Sequence, residues 1–148
     1  MSILKKIREL TLIEWQVLLS SLILLPYCAL SLRLKGFKKT REAFFPGNMQ
    51  HTDLPPIEQL ALARRISRAV DLAALYSFYR ANCLKRSLVL CRQLHKHAIE
   101  CDLKLGADLA DQQFSAHAWV THRGVILNDS RTVINGFSEF KSNSDHGA

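Results

Sequence analysis

The chain has four cysteines, at positions 28, 83, 91 and 101. A thiolate nucleophile needs surroundings that stabilise negative charge, an imidazole within reach, and a third group that orients the imidazole. Cys83 stands where an amphipathic helix is expected to begin, and the positive end of a helix dipole stabilises negative charge there. His117 and Asp129 follow on segments whose alternation reads as neighbouring strands. Cysteine as nucleophile, histidine as base and then acid, and a carboxylate as orienter together make the machinery of acyl transfer through a thioester. The cysteines show no CxxC pair and no Cys/His spacing of the zinc type, so no metal is expected. No Gly-rich phosphate cradle occurs, and no cofactor or nucleotide is expected either.

His117 and Asp129 meet only if the hairpin between them has the right register. Taking His122-Arg123-Gly124 as a three-residue loop, with glycine last in the left-handed position, pairs Thr121 with Val125, Trp119 with Leu127 and His117 with Asp129. Residues opposed in this way lie about 5 Å apart at Cβ. A two-residue loop, Arg123-Gly124, instead pairs His117 with Ser130 and turns Asp129 to the other face. Each residue also has a plainer role: His117 as a satisfied half-buried histidine, Asp129 as the Asx-turn that ends a strand.

Around these residues the period of the sequence changes from helical to strand-like. Residues 3–34 are predicted helical, and the uncharged stretch from Trp15 to Leu32 is interrupted by three serines and Pro26. Three placements are open for it: packed on the domain, lying on a membrane or partner surface, or spanning a bilayer. Lys35-Gly36, Pro46-Gly47-Asn48 and Pro55-Pro56 make residues 35–56 a predicted linker or irregular loop, with Asp53 as cap of the next helix. That helix spans about 57–76, with Leu60, Ala63, Val70 and Ala74 inward and Arg64, Arg65 and Arg68 outward. A third runs over 83–97 with Leu84, Leu88, Cys91 and Leu94 on one face, which makes Cys91 a small core hydrophobe. Alternation then predicts strands over 101–107, 114–121 and 125–129, with a polar connection over 108–113. Helices followed by an antiparallel β-meander define an α+β fold. The expected division is a basic-flanked helical segment with linker over 1–50, a core over 51–140 and a frayed tail over 141–148.

At 148 residues the chain is about one domain, and its composition, 48% hydrophobic, is that of a globular protein. Its net charge of +7 comes mainly from residues 1–50, with eight Lys/Arg against three acids. A basic stretch beside an apolar one suits anionic lipid or an acidic peptide, or is a solvated flank. No aromatic-and-basic motif accompanies it, so nucleic acid is not an expected partner. The apolar stretch begins late, contains Pro26 and has no small-residue cleavage site before Arg33, so it does not read as a cleavable signal. Free thiols in a reducing cytoplasm are expected, with a membrane surface as a candidate contact through residues 3–34.

The stretch Asn82-Cys83-Leu84-Lys85-Arg86-Ser87-Leu88, then Phe114-Ser115-Ala116-His117-Ala118-Trp119-Val120, then Leu127-Asn128-Asp129 resembles the transglutaminase-like leader peptidases of lasso-peptide biosynthesis. The family pattern is approximately N-C-L-x-R-S-L, F-x-A-H-A-W-V and N-D, and it covers about a third of the chain, residues 80–130. The resemblance implies a transglutaminase-like, papain-like core with Cys83 at a helix start. It also implies a triad of Cys83 as nucleophile, His117 as general base and acid, and Asp129 as orienter. The Cys83 N–H is the expected oxyanion donor. Asn82 is either a second donor or the helix cap, Trp119 either walls the site or packs, and Arg86 is expected to hold a carboxylate or carbonyl. Expected partners are a precursor peptide as substrate, a separate leader-recognition protein, and an ATP-using asparagine-synthetase-like cyclase. Two alternatives share the sequence: a transglutaminase-like acyltransferase in which an amine replaces water, and a non-catalytic membrane- or partner-docking adaptor.

Overall fold

Thr11 and Glu14 start the first helix. The Glu14 carboxylate accepts from the Thr11 N–H at 2.8 Å while the Thr11 hydroxyl oxygen accepts from the Glu14 N–H, a reciprocal capping box. Helix α1 (Leu12–Phe44) bends at Gly36, whose φ of 81° and ψ of 174° are not helical. The bend lays the second arm, 37–44, back along the first. The Ser31 and Thr40 hydroxyls are 2.8 Å apart and the Tyr27 and Phe44 rings stack at 6.1 Å. Nine residues of straight helix would separate Ser31 and Thr40 by about 13 Å along the axis. Residues 35–44, expected as linker, are therefore helix around one glycine corner. Thr40 and Phe44, one turn apart and both buried, hold the second arm in place, and Arg92 donates to the Ala43 carbonyl at 3.3 Å. The computed structural model describes residues 5, 8–45, 51–77, 82–108, 115–128 and 138–139.

Helix α2 (Pro56–Tyr76) opens on Pro56, which has no N–H to satisfy. Asp53 does not cap it. Pro55 occupies the cap position without a side-chain bond, its carbonyl accepts from Glu58 and Gln59, and the Gln59 amide donates to the Leu54 carbonyl at 2.7 Å. Ala63, Ile66, Ala69, Val70 and Ala73 are buried, and Arg64, Arg65 and Arg68 are exposed as their spacing predicts. Helix α3 (Cys83–Lys96) buries Leu88, Val89, Leu90, Cys91 and Leu94 against both other helices and the sheet. Gln93 donates to the hydroxyls of Ser20 at 2.7 Å and Ser21 at 3.1 Å, so a polar contact joins α3 to α1 inside an apolar packing.

Four strands follow, β1 (Asp102–Asp108), β2 (Ser115–His122), β3 (Val125–Ile126) and β4 (Ser138–Glu139), in the antiparallel order β3-β2-β1-β4. The fold is α+β, as the change of period implied. β1, β2 and β3 are sequential neighbours, whereas β4 returns to the far edge of β1 through Gly106↔Glu139 and Ala107↔Ser138. A two-residue strand is too short for alternation to reveal, and residues 130–140 had no expected element.

The hairpin corrects the expected register. Thr121 pairs with Ile126 and His122 with Val125, leaving Arg123-Gly124 as a two-residue loop with φ of 47° and 80°. Two positive φ values in succession make the I′ turn, whose twist matches that of the flanking strands. His122, expected in the loop, is a buried strand residue with Nδ1 2.6 Å from the Glu100 carbonyl. That anchor favours the tighter turn, and the expected pairs Thr121 with Val125 and Trp119 with Leu127 give way to Thr121 with Ile126 and a Leu127 N–H bond to the Val120 carbonyl. Asp129 itself lies outside the described residues, as do 141–148.

Candidate active site

Cys83 is the first residue of α3 and is half-buried. Asn82 precedes it in extended conformation, and its Oδ1 accepts from the Lys85 N–H at 3.1 Å, so Asn82 is the helix cap. The Cys83 N–H belongs to the first turn, which has no intrahelical acceptor, and it is the donor a developing oxyanion could use. Arg86 Nη1 lies 3.7 Å from Asp71 Oδ1 and links the first turn of α3 to α2, the kind of carboxylate partner expected for it.

Cys28 and Cys91 are less suited to attack. Burial pushes Cys28 up from 9.0 to about 11, with nearby Lys85 pulling weakly the other way. Burial and the neighbouring Cys101 thiol raise Cys91 as well. Both are core residues with no exposed surface.

His117 stands near the start of β2, opposite Gly106 of β1. Val120 lies in the core with Leu103, its ladder partner, packed against it. Alternation therefore puts Ala118 and Leu105 on the helical side and His117, Trp119 and Lys104 on the other. Trp119 is buried, and its ring stacks with that of His117 at 6.1 Å and 23°.

A polar clamp sets the helix against the strand. Ser87 is one turn beyond Cys83 on the same helix face, and its fully buried hydroxyl donates to the Ala118 carbonyl at 3.2 Å, next to His117. Residues 97–101 join α3 to the start of β1, which pairs with the far end of β2, so the amino end of α3 points toward Ser115. Cys83 and His117 thus stand at the same end of the sheet, Cys83 on the helix-covered side and His117 on the opposite face by alternation. The clamp continues into the chain leaving β3. Asn128 Nδ2 donates to Ser87 Oγ at 3.0 Å, and Asn128 Oδ1 accepts from the Val120 N–H at 2.8 Å. Leu127 keeps one ladder bond, N–H to the Val120 carbonyl at 2.9 Å, while its own carbonyl accepts from Ser67 Oγ at 3.1 Å. Asn128 replaces the backbone carbonyl that the ladder would have offered.

Ser87 and Asn128 were both visible as motif letters beside the expected triad, but nothing in their spacing gave them a role. A serine inside a helix and an asparagine at a strand end each have commoner local uses. Only the packing of α3 on β2 joins them.

Two open depressions border the helices. One of about 530 Å³ is lined by Leu10, Glu14, Arg68, Asp71 and Leu75 among others; one of about 560 Å³ by Ala61, Arg64, Arg65, Arg68 and Leu127. Neither is lined by Cys83 or His117. The second reaches Leu127, two residues before Asp129. No group of three or more His, Cys, Asp or Glu suited to a metal occurs among the described residues.

A cysteine opening a helix that is clamped beside a strand histidine, within helices followed by an antiparallel sheet, defines a class. The family model of the transglutaminase-like superfamily matches residues 24–142, and the chain belongs to that superfamily. The match takes in most of α1, all of α2 and α3, and the sheet. It supports a fold of the cysteine peptidase and acyltransferase type. No curated protein and no solved structure matches the chain significantly.

Proposed function

We propose that this protein is a cysteine peptidase that removes the leader from a ribosomally made lasso-precursor peptide. The observation that carries the reading is the placement of Cys83 at the capped start of α3, one turn from the Ser87 clamp that ties the helix to β2 beside His117. The motif resemblance around these residues supplies the substrate class. In this mechanism the Cys83 sulfur attacks the amide between leader and core, forming a thioester with the leader's carbonyl. By the motif resemblance, His117 at that end of the sheet takes the thiol proton and gives it to the departing amine, and Asp129, whose place rests on the resemblance and not on the hairpin register, orients the imidazole. Water then releases the leader, and the core leaves with a free N-terminus for a partner cyclase. A separate leader-recognition protein would deliver the substrate.

The test is incubation of the purified protein with the precursor peptide encoded beside its gene, with and without the neighbouring leader-binding protein, read by mass spectrometry. One leader–core cut, absent in Cys83→Ala and His117→Ala, is the expected result. A product extended by an added amine in place of water would identify an acyltransferase using the same residues. No cut in any combination, with the protein shown folded, would overturn the peptidase reading and favour a docking role.

A further inference from the structure

The first arm of α1 is apolar on the side that faces away from the domain. Trp15, Leu19, Ile23, Tyr27, Leu30 and Leu34 recur at steps of three and four, so they share one face, and they are 37 to 73% exposed. At 1.5 Å per residue this stripe is about 29 Å long. The opposite side of the same arm is committed to the domain: Val17, Leu25 and Cys28 lie in the core, and Ser21 is held by Gln93. The helix is long and apolar enough to cross a membrane by composition. Crossing would require stripping it from α2 and α3 and exposing their core faces, so the folded domain can only lay it along a surface.

Charge identifies that surface. Lys5 and Arg8 are exposed at one end of the stripe, and Arg33, Lys35, Lys38 and Lys39 at the other, around the Gly36 corner. The exposed acids among these neighbours are Glu9 and Glu42. An apolar stripe with a basic group at each end complements the acyl boundary and the anionic headgroups of a bilayer. We propose that the first arm of α1 docks in the plane of an anionic lipid bilayer, with Trp15, Leu19, Ile23 and Leu30 entering the interface and the basic ends resting on headgroups. Docking is independent of the catalytic reading and holds the rest of the domain, including the Cys83 end of α3, on the solvent side.

Full-length protein is sedimented with vesicles of phosphatidylcholine alone and with added phosphatidylglycerol. Binding is expected to the anionic vesicles, weakened by salt, with tryptophan emission quenched by brominated acyl chains and that quenching lost in Trp15→Phe, where the buried Trp119 alone emits. The variant Leu19→Gln/Ile23→Gln/Leu30→Gln is expected to lose at least about tenfold in binding. The variant Lys35→Gln/Lys38→Gln/Lys39→Gln is expected to lose about a hundredfold on anionic vesicles and little on neutral ones. All six side chains are exposed, so both variants should keep the wild-type urea midpoint, which is the control for folding. No binding to anionic vesicles, or equal binding by the apolar variant, overturns the proposal. So does resistance of the membrane-bound protein to alkaline carbonate, which marks a span. A soluble dimer that the apolar variant dissociates, without lipid binding, would show that a second copy covers the stripe and would also overturn it.

Discussion

Replacing Asn128 with alanine should loosen the helix that carries Cys83 from the strand that carries His117. Two hydrogen bonds vanish, from the Val120 N–H at 2.8 Å and to Ser87 Oγ at 3.0 Å. The Val120 amide belongs to a residue with no exposed surface and has no ladder carbonyl to fall back on, because the Leu127 carbonyl is bonded to Ser67. An orphaned buried donor costs about 1–3 kcal/mol, and the lost bond to Ser87 about 0.5–1 kcal/mol more, so Asn128→Ala should destabilise by about 2–3 kcal/mol. Asn128→Asp keeps the acceptor and loses the donor, and should cost about 1 kcal/mol. Ser87→Ala removes the bond to Ala118 and the acceptor for Asn128, and the double variant should show a coupling of about 1 kcal/mol. Urea denaturation measures all four, and precursor cleavage under conditions where each variant is folded measures the effect on the site. A loss below about 0.5 kcal/mol for Asn128→Ala, or strictly additive losses for the pair, would refute the clamp.

Gly36→Ala should destabilise by about 1–3 kcal/mol although an added Cβ would meet no atom within 4 Å, because φ of 81° with ψ of 174° is essentially a glycine conformation; thermal melting measures it. In the hairpin, Arg123→Asn should stabilise by a few tenths of a kcal/mol, since asparagine takes the first position of a I′ turn more readily, whereas Gly124→Ala should cost about 1 kcal/mol. Thr11→Ala removes one half of the capping box and should cost about 1 kcal/mol by urea denaturation. Alkaline stability follows from Cys28. Its thiol is about 11 folded against 9.0 as a free side chain, so the unfolded chain loses this proton first, and the contribution is full below pH 9 and is lost between pH 9 and about 11. Two units correspond to about 2.7 kcal/mol, and Cys91 acts in the same direction. Urea midpoints from pH 8 upward should fall, and Cys28→Ala should flatten the slope.

The helix-to-strand change of period after Ala98, the exposed arginines of α2 and the buried face of α3 were legible because each follows from a single repeating pattern. The hairpin was not. Both loop lengths end on Gly124, and the choice was made by the burial of His122 and its bond to the carbonyl of Glu100, 22 residues earlier and outside any local signal in Arg123-Gly124. The capping box at Thr11 and Glu14 was written plainly in the sequence, yet the apolar run that begins before it obscured the helix start. α1 misled for a deeper reason. It buries Glu14, Ser21, Ser31 and Thr40 among Val17, Leu25 and Cys28 and exposes leucines and Trp15, so it is apolar on both sides and neither hydropathy nor periodicity says which side faces inward. Of the candidate site, Cys83 as the first residue of a helix and His117 within a strand were legible, while Ser87 and Asn128 acquire meaning only from tertiary contact.

The Gln93 contact to Ser20 and Ser21 has a rotational meaning. A rod apolar on all sides can turn about its axis in a greasy groove at small cost, because one leucine exchanges for another. A buried amide that needs hydroxyl partners removes that freedom: turning α1 by one residue would carry Ser21 away from Gln93 and strand a buried amide in the core. The same contact therefore acts as an index mark, fixing which row of leucines becomes interior and which is presented outward.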